Sequence, residues 1–302
     1  MPNILKPNAL QAGDTVGIVA PAGPYDAELL EQGIAVLENM GFKVHVPEGL
    51  DRSERFLAGS DRHRADIFNS CFENDAIQGI FCARGGYGSL RILDLIDYRM
   101  IEDNPKVFVG LSDITAIHMA LITRCRLVTF HGPVVTRLGE DDQKTLDVLS
   151  AAISSGRKLE IKPKSGTIVQ SGRCEGIVAG GNLTTLCHLL GTPYAPEFRN
   201  HILLLEDIAE APYKIDRKLF QMKRSGCLDG VRGVVLGDFT DCGSHKELIA
   251  SAKDIFSDVE IPIMAGFNFG HELPNLTIPI GLPGVLDTEK GSLKFEEPAT
   301  QG

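Results

Sequence analysis

The feature that most narrows what this chain can fold into is an alternation in its first half, where short runs of apolar and β-branched residues are each followed by a helix-length stretch. Runs at residues 15–20, 43–46, 79–82, 106–109 and 127–130 read as strands. Residues 26–40 read as a helix capped by Asp26 and ended by Gly41, and residues 114–124 as another. Strands separated by helices in this way are the signature of βαβ units, so the spacing predicts an α/β fold whose N-terminal part is a doubly wound, mostly parallel sheet.

A helical pattern over residues 141–155 runs into a polar stretch, 154–166, that reads as a linker. The expected division is therefore an N-terminal domain at 1–160 and a smaller C-terminal α/β domain at 161–302. Beyond the linker the strands become mixed in character: 175–179, 202–205, 233–236, and short pieces punctuated by Pro and Gly over 275–295. Helices are expected at 183–190, 213–223 and 246–256.

Charge removes several partners. A formal net charge of -10 without a Lys/Arg run repels phosphate backbones, so nucleic acid is not expected. The opening residues carry no basic segment followed by an apolar one, and no stretch approaches the ~18 apolar residues of a membrane span, so a cytoplasmic protein without membrane contact is expected. The 7 cysteines are scattered with no CxxC pair, which predicts reduced thiols and no structural zinc. Cys82, at the end of an apolar run, reads as a buried small hydrophobe rather than a nucleophile. The 8 histidines contain no HExxH and no carboxylate cluster at ligand spacing, so no metal is expected.

Gly-Leu-Ser-Asp at residues 110–113 follows a buried-looking strand and opens into a helix. Ser112 would stand on a sharp strand-to-helix turn, beside free N–H groups of the helix N-terminus that suit a developing oxyanion. Helix capping by Ser112 or Asp113 explains the same residues. A second glycine-rich turn, 83–88, also follows a strand and suits close backbone approach to a ligand, a phosphate cradle or a plain tight turn. In the second half, the apolar run 202–205 ends in Glu206, a carboxylate that needs a donor if buried and otherwise faces solvent or pairs with Lys214 or Arg217. Of the histidines, His131 and His271 remain as loop residues able to act as a general base, and the pattern alone does not choose between them.

Together these motifs resemble the LD-carboxypeptidase family, serine peptidases that also include microcin-immunity enzymes. The match runs from Gly-Asp-Thr-Val at 13–16 and Ala-Pro-Ala-Gly at 20–23, through Arg-Gly-Gly-Tyr-Gly at 84–88 and the Ser112 turn. It continues to Gly-Gly-Asn-Leu at 180–183, Leu-Glu-Asp at 205–207 and Gly-His at 270–271. The resemblance implies Ser112 as nucleophile, His271 as base and Glu206 as the acid that orients it, with oxyanion donors from Asp113 and the Gly85-Gly86 turn. It implies removal of the terminal D-alanine from murein tetrapeptides in peptidoglycan recycling, no cofactor, and a homodimer. Arg84 is the candidate for the substrate carboxylates, and Asn182 is expected near the cleft. The alternative within the family is an amidase acting on aminoacyl-nucleotide antibiotics. Such enzymes are expected to stack a nucleobase on an aromatic side chain, typically tryptophan, and this chain has 0 Trp.

Overall fold

The computed structural model of the chain describes residues 4–140, 142–163 and 165–302. Asp141, given as the start of a helical pattern, and Lys164 in the expected linker lie outside the described residues, as do the first three residues of the opening segment.

Five strands from the first half, β1 Thr15–Val19, β2 Lys43–His45, β3 Gly79–Cys82, β4 Val107–Gly110 and β5 Thr129–His131, lie parallel in the order β5-β4-β3-β1-β2. β3 and β4 are buried throughout, which is why they read as continuous apolar runs, and β5 is buried as well although it carries Thr129 and His131. Helices cover the faces: α1 Ala27–Asn39, capped by the Asp26 carboxylate on the Leu29 N–H; α2 Asp61–Glu73; α3 Tyr98–Asp103; α4 Thr115–Cys125; α5 Val135–Leu138; and α6 Gln143–Ser154. Strand order reverses between β1 and β3, so the loops leaving their carboxyl ends diverge and open a crevice, the usual ligand position in such sheets.

α2 escapes the sequence pattern because one residue of its buried face is Arg64, which is 2% exposed. Its guanidinium donates to the carbonyls of Pro21 and Gly88 and pairs with Asp61. One buried cation thus ties the loop after β1 to the glycine turn after β3. On the same helix, Phe68 and Phe72 pack against each other and against Phe108 of β4 in tilted and edge-on arrangements with centroids 5.1–6.2 Å apart, contacts that each add about 0.5–1.5 kcal/mol beyond area burial.

The second half forms an eight-stranded mixed sheet. In chain order its strands are β6 Glu160–Ile161, β7 Thr167–Gln170, β8 Arg173–Asn182, β9 His201–Ile208, β10 Gly233–Thr240, β11 Ile263–Ala265, and, after one intervening strand, β13 Pro283–Asp287 and β14 Ser292–Phe295. β8 to β11 run parallel, with antiparallel strands on either side. Helices α7 Leu183–Leu189, α8 Pro212–Arg224 and α9 His245–Ile255 connect them, α9 opening on a Ser244/Glu247 capping box.

The intervening strand, β12 Ile278–Ile280, leaves this sheet and pairs antiparallel with β5, closing the edge of the first sheet. β8 also runs further than its apolar run suggests. It continues through Gly180 and Gly181, where a Cβ would stand 2.1 Å from the Leu204 carbonyl oxygen and 2.5 Å from Thr115 Oγ1. Only glycine lets this strand pass so close to β9 and the start of α4.

Candidate active site

Ser112 stands where β4 turns into α4. Its φ of 66° lies in the left-handed region, uncommon for a side-chain-bearing residue and the strained geometry of a nucleophile elbow. One helical turn of 3₁₀ type, Ser112–Ile114, then feeds α4. The Asp113 carboxylate turns inward and accepts the Ser89 N–H at 2.7 Å, fastening the glycine turn to the elbow. Gly85 packs so tightly there that a Cβ would lie 2.8 Å from Ser112 Cβ.

Glu206 projects from β9 and is fully buried, and its Oε2 accepts from His271 Nδ1 at 2.8 Å. Against a carboxylate oxygen the donor is the Nδ1 N–H, so Glu206 holds the ring by that nitrogen and leaves Nε2 unengaged by it. His271 is 12% exposed, on the loop after β11, and its carbonyl oxygen accepts from Arg137 Nη2 of α5 at 3.4 Å. Burial pushes the Glu206 carboxyl up, but the imidazoles of His131 and His271 outweigh it and hold the group well below the usual carboxylate range.

His131, left level with His271 by sequence, is the last residue of β5 and wholly buried, 3.9 Å from Glu206 Oε1 through Nε2. Only His271 reaches the cavity. This cavity, about 580 Å³, is lined by Ser112, Gly85, Gly86 and Arg84 from the first sheet's loops and by Gly270, His271 and Glu272 from the second half. Arg84 is exposed, and Nη1 donates to the Pro24 carbonyl at 2.8 Å.

Asn182 does not line the cavity. Its side chain caps α7 by accepting the Thr185 N–H and donates to Asp207, while its own N–H donates to Thr115 Oγ1. It thereby ties the start of α4 to β9. Cys82 is fully buried, and burial drives its thiol well above the ordinary range, leaving no thiolate to react. Among the described residues no group of His, Cys, Asp and Glu is arranged to hold a metal ion, and no helix is long and apolar enough to cross a membrane.

One residue near the pair carried no sequence signal. Asp238 follows a Gly in β10, its N–H donating to the Phe269 carbonyl at 2.9 Å and its Oδ2 buried without a hydrogen bond to any described residue. Burial, then the neighbouring Glu272 and Glu206, raise its carboxyl to about 7. A raised carboxyl stabilises the fold while protonated, so its contribution is complete below the unfolded value of about 3.9. It is lost as pH climbs through about 7. Asp238→Asn should therefore melt higher than the parent at pH 8 and close to it at pH 4; equal melting curves at pH 8 would remove the assigned strain.

Two family models match the chain: the LD-carboxypeptidase N-terminal domain over residues 16–132 and the LD-carboxypeptidase C-terminal domain over 175–286. A Bacillus subtilis protein named "Probable murein peptide carboxypeptidase" is 36% identical, with 98% of this chain and 96% of the relative aligned. The solved muramoyltetrapeptide carboxypeptidase from Oxalobacter formigenes superposes with a TM-score of 0.82 at 31% identity, covering 93% and 97% of the two chains. The microcin C7 self-immunity protein MccF, in complex with aspartyl sulfamoyl adenosine, gives a TM-score of 0.91 at 25% identity, covering 98% of this chain and 100% of its own. MccF from Escherichia coli is 27% identical in sequence over 95% of this chain and 94% of its own length.

Proposed function

Because the chain belongs to the LD-carboxypeptidase family, we propose that it is a serine carboxypeptidase that releases the terminal D-alanine of murein tetrapeptides in peptidoglycan recycling. The observation that carries this reading is the meeting, on one cavity, of Ser112 at a left-handed elbow and of the His271–Glu206 pair. With Nδ1 engaged by Glu206, His271 presents Nε2 to the serine. It accepts the Ser112 proton as Oγ attacks the carbonyl between the L-centre and the D-residue, then returns that proton to the departing amine of D-alanine. Water, deprotonated by the same nitrogen, hydrolyses the acyl-serine. The N–H groups of Asp113 and of the Gly85-Gly86 turn serve the oxyanion, one such donor being worth about 10²–10³ in rate. Arg84 offers a cation for a substrate carboxylate in an otherwise acidic protein.

A second reading, cleavage of an aminoacyl nucleotide, is favoured by the 0.91 TM-score to the MccF complex. Against it stands the lack of any tryptophan in the 302 residues. The deciding measurement compares kcat/KM for D-alanine release from a defined L,D-linked tetrapeptide with that for an aminoacyl-sulfamoyl adenosine. The tetrapeptide is expected to be much the better substrate, and a preference for the adenosine compound would replace the murein reading. A serine route requires no metal ion, so EDTA is expected to leave the rate unchanged; loss on chelation with recovery on adding zinc would contradict it.

A further inference from the structure

The mechanism above uses one oxygen of Glu206. The other, Oε1, is buried and makes no hydrogen bond to any described residue, and neither ring nitrogen of His131 makes one either. Two fully buried polar groups without partners stand 3.9 Å apart, at ion-pair reach though beyond a direct hydrogen bond. Each would be costly alone, since an unpaired buried polar group keeps its whole desolvation penalty. They compensate each other only if His131 turns an N–H, not a lone pair, toward the carboxylate.

We propose that His131 is a positioning residue of the catalytic site, carrying its proton on Nε2 and holding Glu206 ionised and aimed at His271 from behind. The inference rests on the serine-peptidase reading and extends it by one member, so that the line runs Ser112, His271, Glu206, His131. The packing fits the role. The His131 ring meets Phe269 edge-on at 5.7 Å and lies 6.5 Å from the His118 ring. His118 is itself fixed between Thr129 Oγ1 and the Gly110 carbonyl, both at 2.9 Å. Burial takes His118 down to about 3, so it stays neutral and adds no charge to the line. The titratable groups coupled to Glu206 are His131 from β5, His271 from the loop after β11, Asp238 from β10, Asp207 beside it on β9 and Cys242 just past β10. Asp238, Asp207 and Cys242 are acids, which leaves the two imidazoles as the sources of positive potential.

Replacing His131 by Phe keeps a ring against Phe269 and removes the donor. Burial then acts on Glu206 with one imidazole fewer, so its protonation should enter the acid limb of the kcat/KM profile. That limb should move to higher pH and steepen toward a two-proton slope, while kcat falls about 10- to 100-fold, the scale on which a buried polar group left without a partner is penalised, with KM little changed. His131→Gln, which returns an N–H near the Nε2 position, should recover most of kcat and the single-proton limb. A residue serving only packing would lower the melting temperature and leave the profile where it was.

The tautomer is read directly in the wild-type protein by long-range ¹H–¹⁵N spectra of the imidazoles, which needs neither activity nor a variant. A proton on His131 Nε2 at neutral pH is expected; a proton on Nδ1 with Nε2 bare overturns the proposal, as does a folded His131→Phe enzyme with wild-type kcat and acid limb. If the Phe variant does not fold, the tautomer and the Gln variant decide, and a Gln variant with a steepened, shifted limb counts against. Ser112→Ala assayed in parallel separates the two levels: activity surviving that change sinks the serine reading, whereas activity lost there but indifferent to His131 sinks only this inference.

Discussion

Ser112→Ala is expected to cut turnover by about 10⁴- to 10⁶-fold, the cost of deleting the nucleophile of a serine triad, while the melting curve stays near that of the parent. The physical basis for separating the two effects is local. Ser112 is half-buried at the cavity wall and already sits at φ 66°, so alanine inherits the same backbone strain and loses only a hydroxyl facing the cleft. The fastening of the elbow is carried by its neighbour, through the Asp113 carboxylate on the Ser89 N–H. Residual activity within a hundredfold of the parent would remove Ser112 from the mechanism.

The second large effect is expected at the pair behind it. Glu206→Gln preserves shape but exchanges the acceptor facing His271 Nδ1 for an amide that can present N–H there, so the imidazole is driven toward the tautomer that cannot take the serine proton. A loss of about 10⁴ in kcat is the scale for such a change. His271→Ala should cost at least as much. Adding either change to Ser112→Ala should cost almost nothing more, because the three act as a unit. Steady-state kinetics of the singles and doubles checks this, and losses that multiply would mean that the groups serve separate steps.

Much of the first sheet was legible because its central strands are buried on both faces and flanked by capped helices, as with Asp26 at α1. α2 was not, since Arg64 reads as surface in any pattern that equates charge with solvent, and the carbonyls that make it a buried anchor come from Pro21 and Gly88, far away in sequence. The glycine pair at 180–181 lies beyond the strand expected at 175–179, yet it is strand, because the reason for glycine is the backbone of β9 and the Thr115 hydroxyl pressing against it. At the site, the elbow and the strand-end acid have local signatures. The choice between His131 and His271 has none. It depends on Phe269 and β12 closing over one imidazole while the Gly270 turn presents the other to the cavity. Asp238 was silent for the same reason, its surroundings being built from Glu206 and Glu272, both distant in the chain or on another element.

The antiparallel return of β12 onto β5 has a consequence for how the molecule comes into being. The strand that seals the edge of the sheet bearing Ser112 is Ile278–Ile280, so a growing polypeptide carries Ser112 well before the flank of β5 is closed. An open flank is a template for pairing with other chains, and the strand that covers it is the last of that sheet to be made. The same closing stretch brings the His271 loop that lies just before it. Assembly of the cavity shared by Ser112 and His271 and protection of the sheet edge therefore fall in one step, and a prematurely ended chain yields neither.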